Sequence, residues 1–418
     1  MVKIISIIVS LLATVTASAQ ADIVTDDGAY ANQTPYGDPE STSVKAPPPG
    51  YELMFLQTVA RHGSRSQTSN DGEQRAIAVW RVAAKRGQLT TAGKLFDDDL
   101  TAFQAAESKV GYGRLSTMGR QEWVGIGRRT AANYREFLDR SAANGDDITF
   151  RTTSVYRTQQ SASSLRAGLK AAVPTLDLKD RTTDDRMLIV NGASTRGNAA
   201  IASVERRSDV RAAARHVLRR LYSAAFVDGL ANPVAKALDI YALYAISAGM
   251  RGDTPVTFQR YVPLADARVL GYAKDAHNFY RYGPGVKGET SSFRQIRPIV
   301  QDFFTQLDKR IAGGDTAAVF RLAHGETTMP FAAQTRMPRS ATQAAAGTPY
   351  SYGNNPWRGY VAGRMAGNIE WAAYRNSAGA VLVTIRYNEQ PIRMNSSCTP
   401  SALGTYFYRI TALKRCML

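Results

Sequence analysis

Two hydrophobic periods alternate along this chain. Met54-Phe55-Leu56-Gln57-Thr58-Val59-Ala60 is an apolar run that reads as a buried strand. Ile148-Thr149-Phe150-Arg151-Thr152-Thr153-Ser154-Val155 and Ala317-Ala318-Val319-Phe320-Arg321-Leu322 read as further strands. Residues 369–374 and 381–387 flank the turn Asn376-Ser377-Ala378-Gly379 and predict a hairpin or paired strands. Between these runs the period lengthens. Leu115-Ser116-Thr117-Met118-Gly119 predicts a helix start with Ser116 or Thr117 as N-cap, and Trp123, Ile126, Tyr134 and Phe137 follow at helical spacing. Ala162, Leu165, Leu169 and Val173 mark a second helical face, stopped by Pro174. From about residue 171 to 310 the pattern is helical, with Asn232-Pro233 as an N-cap followed by proline at the first helical position.

Strands alternating with helices predict an α/β body whose mainly parallel sheet is flanked by helices. The long helical stretch predicts an inserted α-helical cap domain. The expected organisation is a first core segment at 51–170, the cap at 171–310 and a second core segment at 311–418. Lys3, an apolar stretch over 4–15 and Ala17-Ser18-Ala19 predict a signal peptide over 1–19 and a secreted or periplasmic protein. No cysteine follows that stretch, which argues against a lipid anchor, and no membrane anchor is expected. Residues 20–50 are polar and irregular, end in Pro47-Pro48-Pro49-Gly50, and are expected to lie extended against the body.

Composition narrows the function classes. An apolar content of 44% and a charged content of 21% fit a globular protein. The formal net charge of +17 favours acidic partners. Signs are mixed in stretches such as Glu205-Arg206-Arg207-Ser208-Asp209, and no basic arm with interleaved aromatics occurs. A small polyanion is therefore favoured over nucleic acid as partner. The two cysteines, Cys398 and Cys416, are too few for a cysteine-based zinc module. In an oxidising compartment they could form a disulfide or stay free.

The candidate chemistry lies just past the predicted strands. Arg61-His62-Gly63-Ser64-Arg65 follows the first, Arg157 the second, and His324-Gly325-Glu326 the third. Ligands of such sheets sit beyond the carboxyl ends of the strands, so these segments can converge. Arg61 and Arg65 suit a phosphate and disfavour an imidazolium, which keeps His62 neutral and nucleophilic. Gly63 reads as the place where the backbone turns sharply. Taken singly, each residue has a plain reading: a basic loop, a surface arginine, a core histidine, a helix-capping glutamate. Together they suit phosphoryl transfer through a covalent intermediate. His62 would attack phosphorus, Arg61, Arg65 and Arg157 would hold the non-bridging oxygens, and His324 would add a further bond. Glu326 would protonate the leaving alkoxide and then activate water. No cofactor is implied. A metal site is not expected, because His324-Gly325-Glu326 is not a helical pair of histidines. His216 and His277 follow no strand, join no motif, and read as structural.

These motifs resemble the histidine phosphatase superfamily, in its branch of histidine acid phosphatases and phytases. The family's R-H-G-x-R-x-P reads here Arg61-His62-Gly63-Ser64-Arg65-Ser66-Gln67, with Gln67 in place of the usual proline. That change is expected to affect loop rigidity rather than catalysis. Leu115-Ser116-Thr117-Met118-Gly119-Arg120 resembles the family's L-T-x-x-G-R helix start, and Arg157 precedes Ser161-Ala162 as the later arginine does. His324-Gly325-Glu326-Thr327 is similar to the H-A-E-T of multiple inositol polyphosphate phosphatases, with Gly325 for the usual alanine. The resemblance implies a phosphoglycerate-mutase-like α/β fold with an α cap. It also implies metal-independent hydrolysis of phosphomonoesters, with inositol hexakisphosphate or lower inositol phosphates as substrates. A broad-specificity acid phosphatase and a non-catalytic anion-binding protein on the same scaffold are the competing readings.

Overall fold

The computed structural model describes residues 26–37, 44–192 and 194–418. The expected signal peptide over 1–19 lies outside them.

The body is an α/β sheet with strands β1 (Tyr51–Arg61), β2 (Asp147–Thr152), β3 (Leu178–Thr183), β4 (Thr316–Ala323), β5 (Asn368–Asn376), β6 (Val381–Tyr387), β7 (Gln390–Pro391) and β8 (Phe407–Arg409). The order is β3-β2-β4-β1-β5-β6-β7, with β8 also pairing β6. β3, β2, β4 and β1 run parallel, while β5 and β6 add an antiparallel ribbon. The sheet is buried on both faces, as its parallel half requires. Phe55, Val59, Val319 and Trp371 pack on one side against Phe303 and Phe304, and Leu56, Ala60, Phe150 and Phe320 pack on the other against Trp123 and Leu165.

Register creates the site. Arg61 pairs with Ala323, and Thr152 with Leu322. The carboxyl ends of β1, β4 and β2 therefore lie side by side, although they are far apart in sequence. Each leads into a site segment.

Helix α1 (Asp71–Lys85), α2 (Phe96–Val110), α3 (Thr117–Asn133) and α4 (Tyr156–Ala172) separate the first strands. Ser116 is the N-cap of α3, its hydroxyl accepting from the Gly119 amide at 3.0 Å. α3 and α4 approach closely through Gly127 and Gly168, where a Cβ would lie 2.5 Å and 2.3 Å from backbone oxygens of the other helix. The period read through Tyr134 breaks there: Tyr134 leaves helical backbone geometry and donates its hydroxyl to the buried Glu370 carboxylate. A helical layer follows, led by α5 (Ser208–Leu221), α6 (Pro233–Ser247) and α7 (Leu264–Arg281). α8 (Arg297–Ile311) returns to the sheet and α9 (Gly325–Gln334) follows β4.

Three boundaries differ from the sequence reading. β3 belongs to the sheet although it lies within 171–310; its side chains are largely exposed, so it carries little apolar signal. The helical layer also recruits α1 and α2, whose Ala76, Ile77, Phe96 and Phe103 share a core with α5, α6 and α7. The lead-in is not simply extended. Residues 26–29 and 31–33 form tight helical turns that bury Ala29, Tyr30 and Ala31, with the Tyr241 hydroxyl donating to Ala29 O at 2.9 Å. Cys398 and Cys416 form a disulfide that ties the C-terminal helix to the loop before β8. Among the described residues, no helix is long and apolar enough to cross a membrane.

Candidate active site

The floor of the site is the row of strand ends. The His62 amide donates to Ala323 O and the His62 carbonyl accepts from the Ala366 amide, both at 2.9 Å, so backbone bonds fix the nucleophile candidate on two sides. Its ring Nδ1 lies 2.9 Å from Gly63 O. A carbonyl can only accept, so Nδ1 carries the proton and Nε2 keeps its lone pair. The rings of His62 and His324 meet edge to face at 5.7 Å between centroids. His324 Nε2 lies 3.1 Å from the Thr153 hydroxyl just past β2, and Nδ1 lies 3.4 Å from Arg157 Nη2. Arg61, His62, Arg65, Arg157 and His324 thus converge as the strand order requires.

The cations are held but not satisfied. Arg61 is 3% exposed, and its Nη1 donates to the carbonyls of Asn32 and Gly363. Arg65 Nη1 donates to Ser66 O at 2.6 Å. Yet the Nε groups of Arg61, Arg65 and Arg157 are all buried without a hydrogen-bond partner. Unpaired buried donors of this kind are costly, and three around one imidazole suit an anionic ligand. Burial and the neighbouring arginines depress Arg61 to about 10 and Arg65 to about 9, so both stay charged at neutral pH. Burial, then Arg157, Arg61 and Arg65, push His62 well below its ordinary value, and burial with Arg157 lowers His324 to about 4. Both imidazoles are neutral at pH 7.

Glu326 stands in the first turn of α9 with its side chain open to solvent. Desolvation by the surrounding protein raises its pKa, but Arg61, His324 and Arg65 outweigh this and hold the carboxyl below its ordinary range. Glu326 is therefore ionised at neutral pH. Gly325 lets α9 begin against Arg61: a Cβ there would lie 3.3 Å from Arg61 Nε.

Gly63 has a different role from the one expected. Its φ is not positive, and no sharp turn requires it. A Cβ at Gly63 would lie 2.5 Å from Gly119 O, and one at Gly119 would lie 1.9 Å from Ser64 O. The two glycines let the Arg61–Arg65 loop and the start of α3 touch backbone to backbone. The Ser116 amide donates to Ser64 O at 3.0 Å, and the buried Glu122 carboxylate accepts from the Ser64 amide at 2.7 Å. This contact explains why the two motifs occur together.

A wall rises beside the floor. Lys274 and His277 of α7 line a cavity of about 340 Å³ together with Arg65, Gln67 and Thr68. His277, read as structural, lines this cavity: its Nδ1 is buried without a partner, and burial with Lys274 and Arg281 lowers it to about 4. Burial lowers Lys274 too, within the fields of Glu326, Arg61 and Arg65. The sequence signal for this wall is the spacing of Lys274, His277 and Arg281 on one helix, which no motif marked. His216, by contrast, is exposed and pairs with Asp266 at 2.7 Å, away from the site.

Comparison with known proteins agrees with this arrangement. Residues 52–205 match the family model of the histidine phosphatase superfamily (branch 2), a stretch that includes Arg61–Arg65 and Arg157 but stops before His324. No curated protein sequence gives a significant match. Among solved structures, the multiple inositol polyphosphate phosphatase of Bifidobacterium longum in complex with inositol hexasulfate superposes with a TM-score of 0.89 at 28% identity, covering 93% of this chain and 97% of that one. A phytase from D. castellii has a TM-score of 0.68 at 14% identity, over 96% of this chain and 88% of its own, and shares the fold. The Hafnia alvei phytase, at 0.55 and 13% over 89% and 97%, does likewise. Motif order, strand-end geometry and these matches make the chain similar to the histidine phosphatase superfamily (branch 2) over residues 52–205 and to the Bifidobacterium longum multiple inositol polyphosphate phosphatase over most of its length, and mark it as an enzyme of the histidine acid phosphatase type.

Proposed function

We propose that this protein hydrolyses phosphomonoesters of inositol polyphosphates through a phosphohistidine on His62. The observation that carries the reading is the set of unpartnered Nε–H groups of Arg61, Arg65 and Arg157 around an imidazole whose Nδ1 is tied to Gly63 O. A phosphoryl group seated there accepts from all three guanidinium groups, and Nε2 of His62 is free to attack phosphorus in line with the leaving oxygen. His324 can add a further bond to the non-bridging oxygens once Arg157 turns to the phosphate and frees the ring Nδ1 to carry the imidazole proton. The P–O bond to the leaving group breaks as the N–P bond forms, and the alkoxide takes a proton from Glu326. A phosphate dianion among the arginines cancels the field that keeps Glu326 ionised, so substrate binding raises its affinity for the proton it delivers. The resulting carboxylate then activates the water that hydrolyses the phosphohistidine.

The substrate class is supported by the net charge of +17, by Lys274 and His277 beside the floor, and by the inositol hexasulfate bound to the Bifidobacterium longum neighbour. The N-terminal pattern and the Cys398–Cys416 disulfide support export to a secreted or periplasmic location. The test is phosphate release from inositol hexakisphosphate without added metal, with ¹⁸O-water to follow the hydrolytic step. Wild type should release phosphate, and His62→Ala should lose on the order of 10⁴-fold or more in kcat/KM. Wild-type turnover in His62→Ala would reject the covalent mechanism. Turnover of aryl and sugar phosphates with none of inositol phosphates would reject the substrate class.

A further inference from the structure

Behind the floor, two glutamates with no part in the proposed reaction are fully buried side by side. Glu73 of α1 and Glu107 of α2 are both 0% exposed. Glu73 is well supplied with donors: Gln67 Nε2 at 3.1 Å to Oε1, and Gln104 Nε2 at 2.9 Å and the Tyr112 hydroxyl at 2.8 Å to Oε2. Glu107 accepts the Gln67 backbone amide at 2.5 Å through Oε1, while its Oε2 is buried with no donor. Its hydrogen-bonding neighbour is the Glu73 carboxyl, and the positive charge of Arg65 also acts on it. Two facing carboxylates offer only acceptors, and two buried negative charges in contact cannot both persist. A proton between them resolves both problems, and Oε2 of Glu107 is the atom left to carry it.

The departure at Gln67 fits this arrangement. Proline, the usual residue at this position of the motif, has no N–H to give. Here the N–H is used, and the side-chain amide of the same residue binds the second glutamate. One residue thus ties the end of the Arg61–Arg65 loop to both carboxyls, and Gln67 O also accepts from the Gly113 amide at 2.5 Å. Hydrogen bonds replace the ring as the source of loop rigidity.

We infer that Glu107, joined to Glu73 by a shared proton, is a positioning residue that holds Arg65 and its loop in the phosphate-gripping conformation through the amide of Gln67. The groups facing the pair are Gln67 and Arg65 from the loop, Gln104 of α2 and Tyr112 just beyond it. Burial and the hydrogen bond to Glu73 raise Glu107 to about 9, which agrees with a retained proton at neutral pH. Phosphate binding and catalysis enter through the reading proposed above. The proton itself does not depend on that reading.

Inorganic phosphate binding by calorimetry and carboxyl infrared spectra test this without turnover. Glu107→Ala should weaken phosphate binding about tenfold or more, the scale of leaving a buried amide N–H without its acceptor, and should raise KM for an aryl phosphate more than it lowers kcat. Glu107→Gln keeps an acceptor for the Gln67 amide and offers Glu73 a donor, so it should recover most of that loss. Wild type at pH 7 should show a protonated-carboxyl band that is missing in Glu107→Gln. Glu107→Asp, which keeps a carboxyl but withdraws it from the Gln67 amide, should weaken phosphate binding even if Glu107→Ala fails to fold. Unchanged phosphate affinity in Glu107→Asp or in folded Glu107→Ala overturns the positioning role, and identical carboxyl bands in wild type and Glu107→Gln overturn the shared proton. Failure of the phosphatase reading would appear separately, as wild-type protein that binds phosphate but releases none.

Discussion

The floor and the wall of the cleft are built by different means. The floor takes its residues from the ends of β1, β2 and β4, locked in register by main-chain bonds and backed by close glycine contacts. The wall is one face of α7, whose Lys274 and His277 reach the cavity on their own side chains. The floor can place a reacting atom to a fraction of an ångström because main chain positions it. The wall can only place charge near a polyanion. Chemistry common to every ester should therefore reside in the floor, and choice among esters in the wall.

Perturbing one side at a time sharpens this contrast. After His62→Ala, the largest effect is expected for Glu326→Gln, which should slow hydrolysis of alkyl phosphates roughly 10²–10⁴-fold, the range for a lost proton donor, while aryl phosphates with good leaving groups slow far less. Equal slowing of both classes in steady-state assays would remove Glu326 from proton transfer. Next comes Arg65→Ala, expected to cost about 10²–10³-fold in kcat/KM on every ester, as for other pre-organised donors to transition-state charge. A loss confined to inositol polyphosphates would move Arg65 from floor to wall. Lys274→Met should raise KM for inositol hexakisphosphate roughly tenfold, the value of one charge-assisted bond, and leave aryl phosphates nearly untouched. Equal effects on both substrates would erase the distinction.

The smallest effect concerns stability against acid. His62, His277 and His324 all have folded-state pKa values below their ordinary value, the latter two at about 4. The unfolded chain therefore binds more protons than the folded one as pH falls below about 6.5, and stability declines from there toward pH 4. Urea unfolding midpoints should fall across that window. His277→Gln should flatten the slope without altering aryl phosphate turnover at neutral pH. An unchanged slope would mean that His277 is not held neutral by the wall.

Much of the sheet was legible because β1, β4, β5 and β6 are apolar runs of strand length. β3 was not, since an edge strand with exposed Asp180, Arg181 and Thr182 carries no periodic apolar signal. The turns at 26–33 were equally hidden, because their burial depends on Tyr241 of α6 and on Arg61, which lie far away in sequence. Among site residues, those within recognisable motifs were legible. Glu107 and Lys274 were not, since a lone glutamate or lysine on a helix looks like solvated surface until another element covers it.

The sequence alone determined which side chains could do chemistry: an imidazole between arginines, a further arginine, and a histidine and carboxylate after another strand. Local residue types suffice for that, because nucleophilicity, charge and proton affinity belong to the groups themselves. Only the tertiary structure decided that β4 lies between β1 and β2, that Gly63 serves contact with Gly119 rather than a turn, and that Gln67 stands where an N–H is needed. Those depend on strand pairing and burial between distant segments, where free energy is set by what the fold removes from water and which partners it leaves.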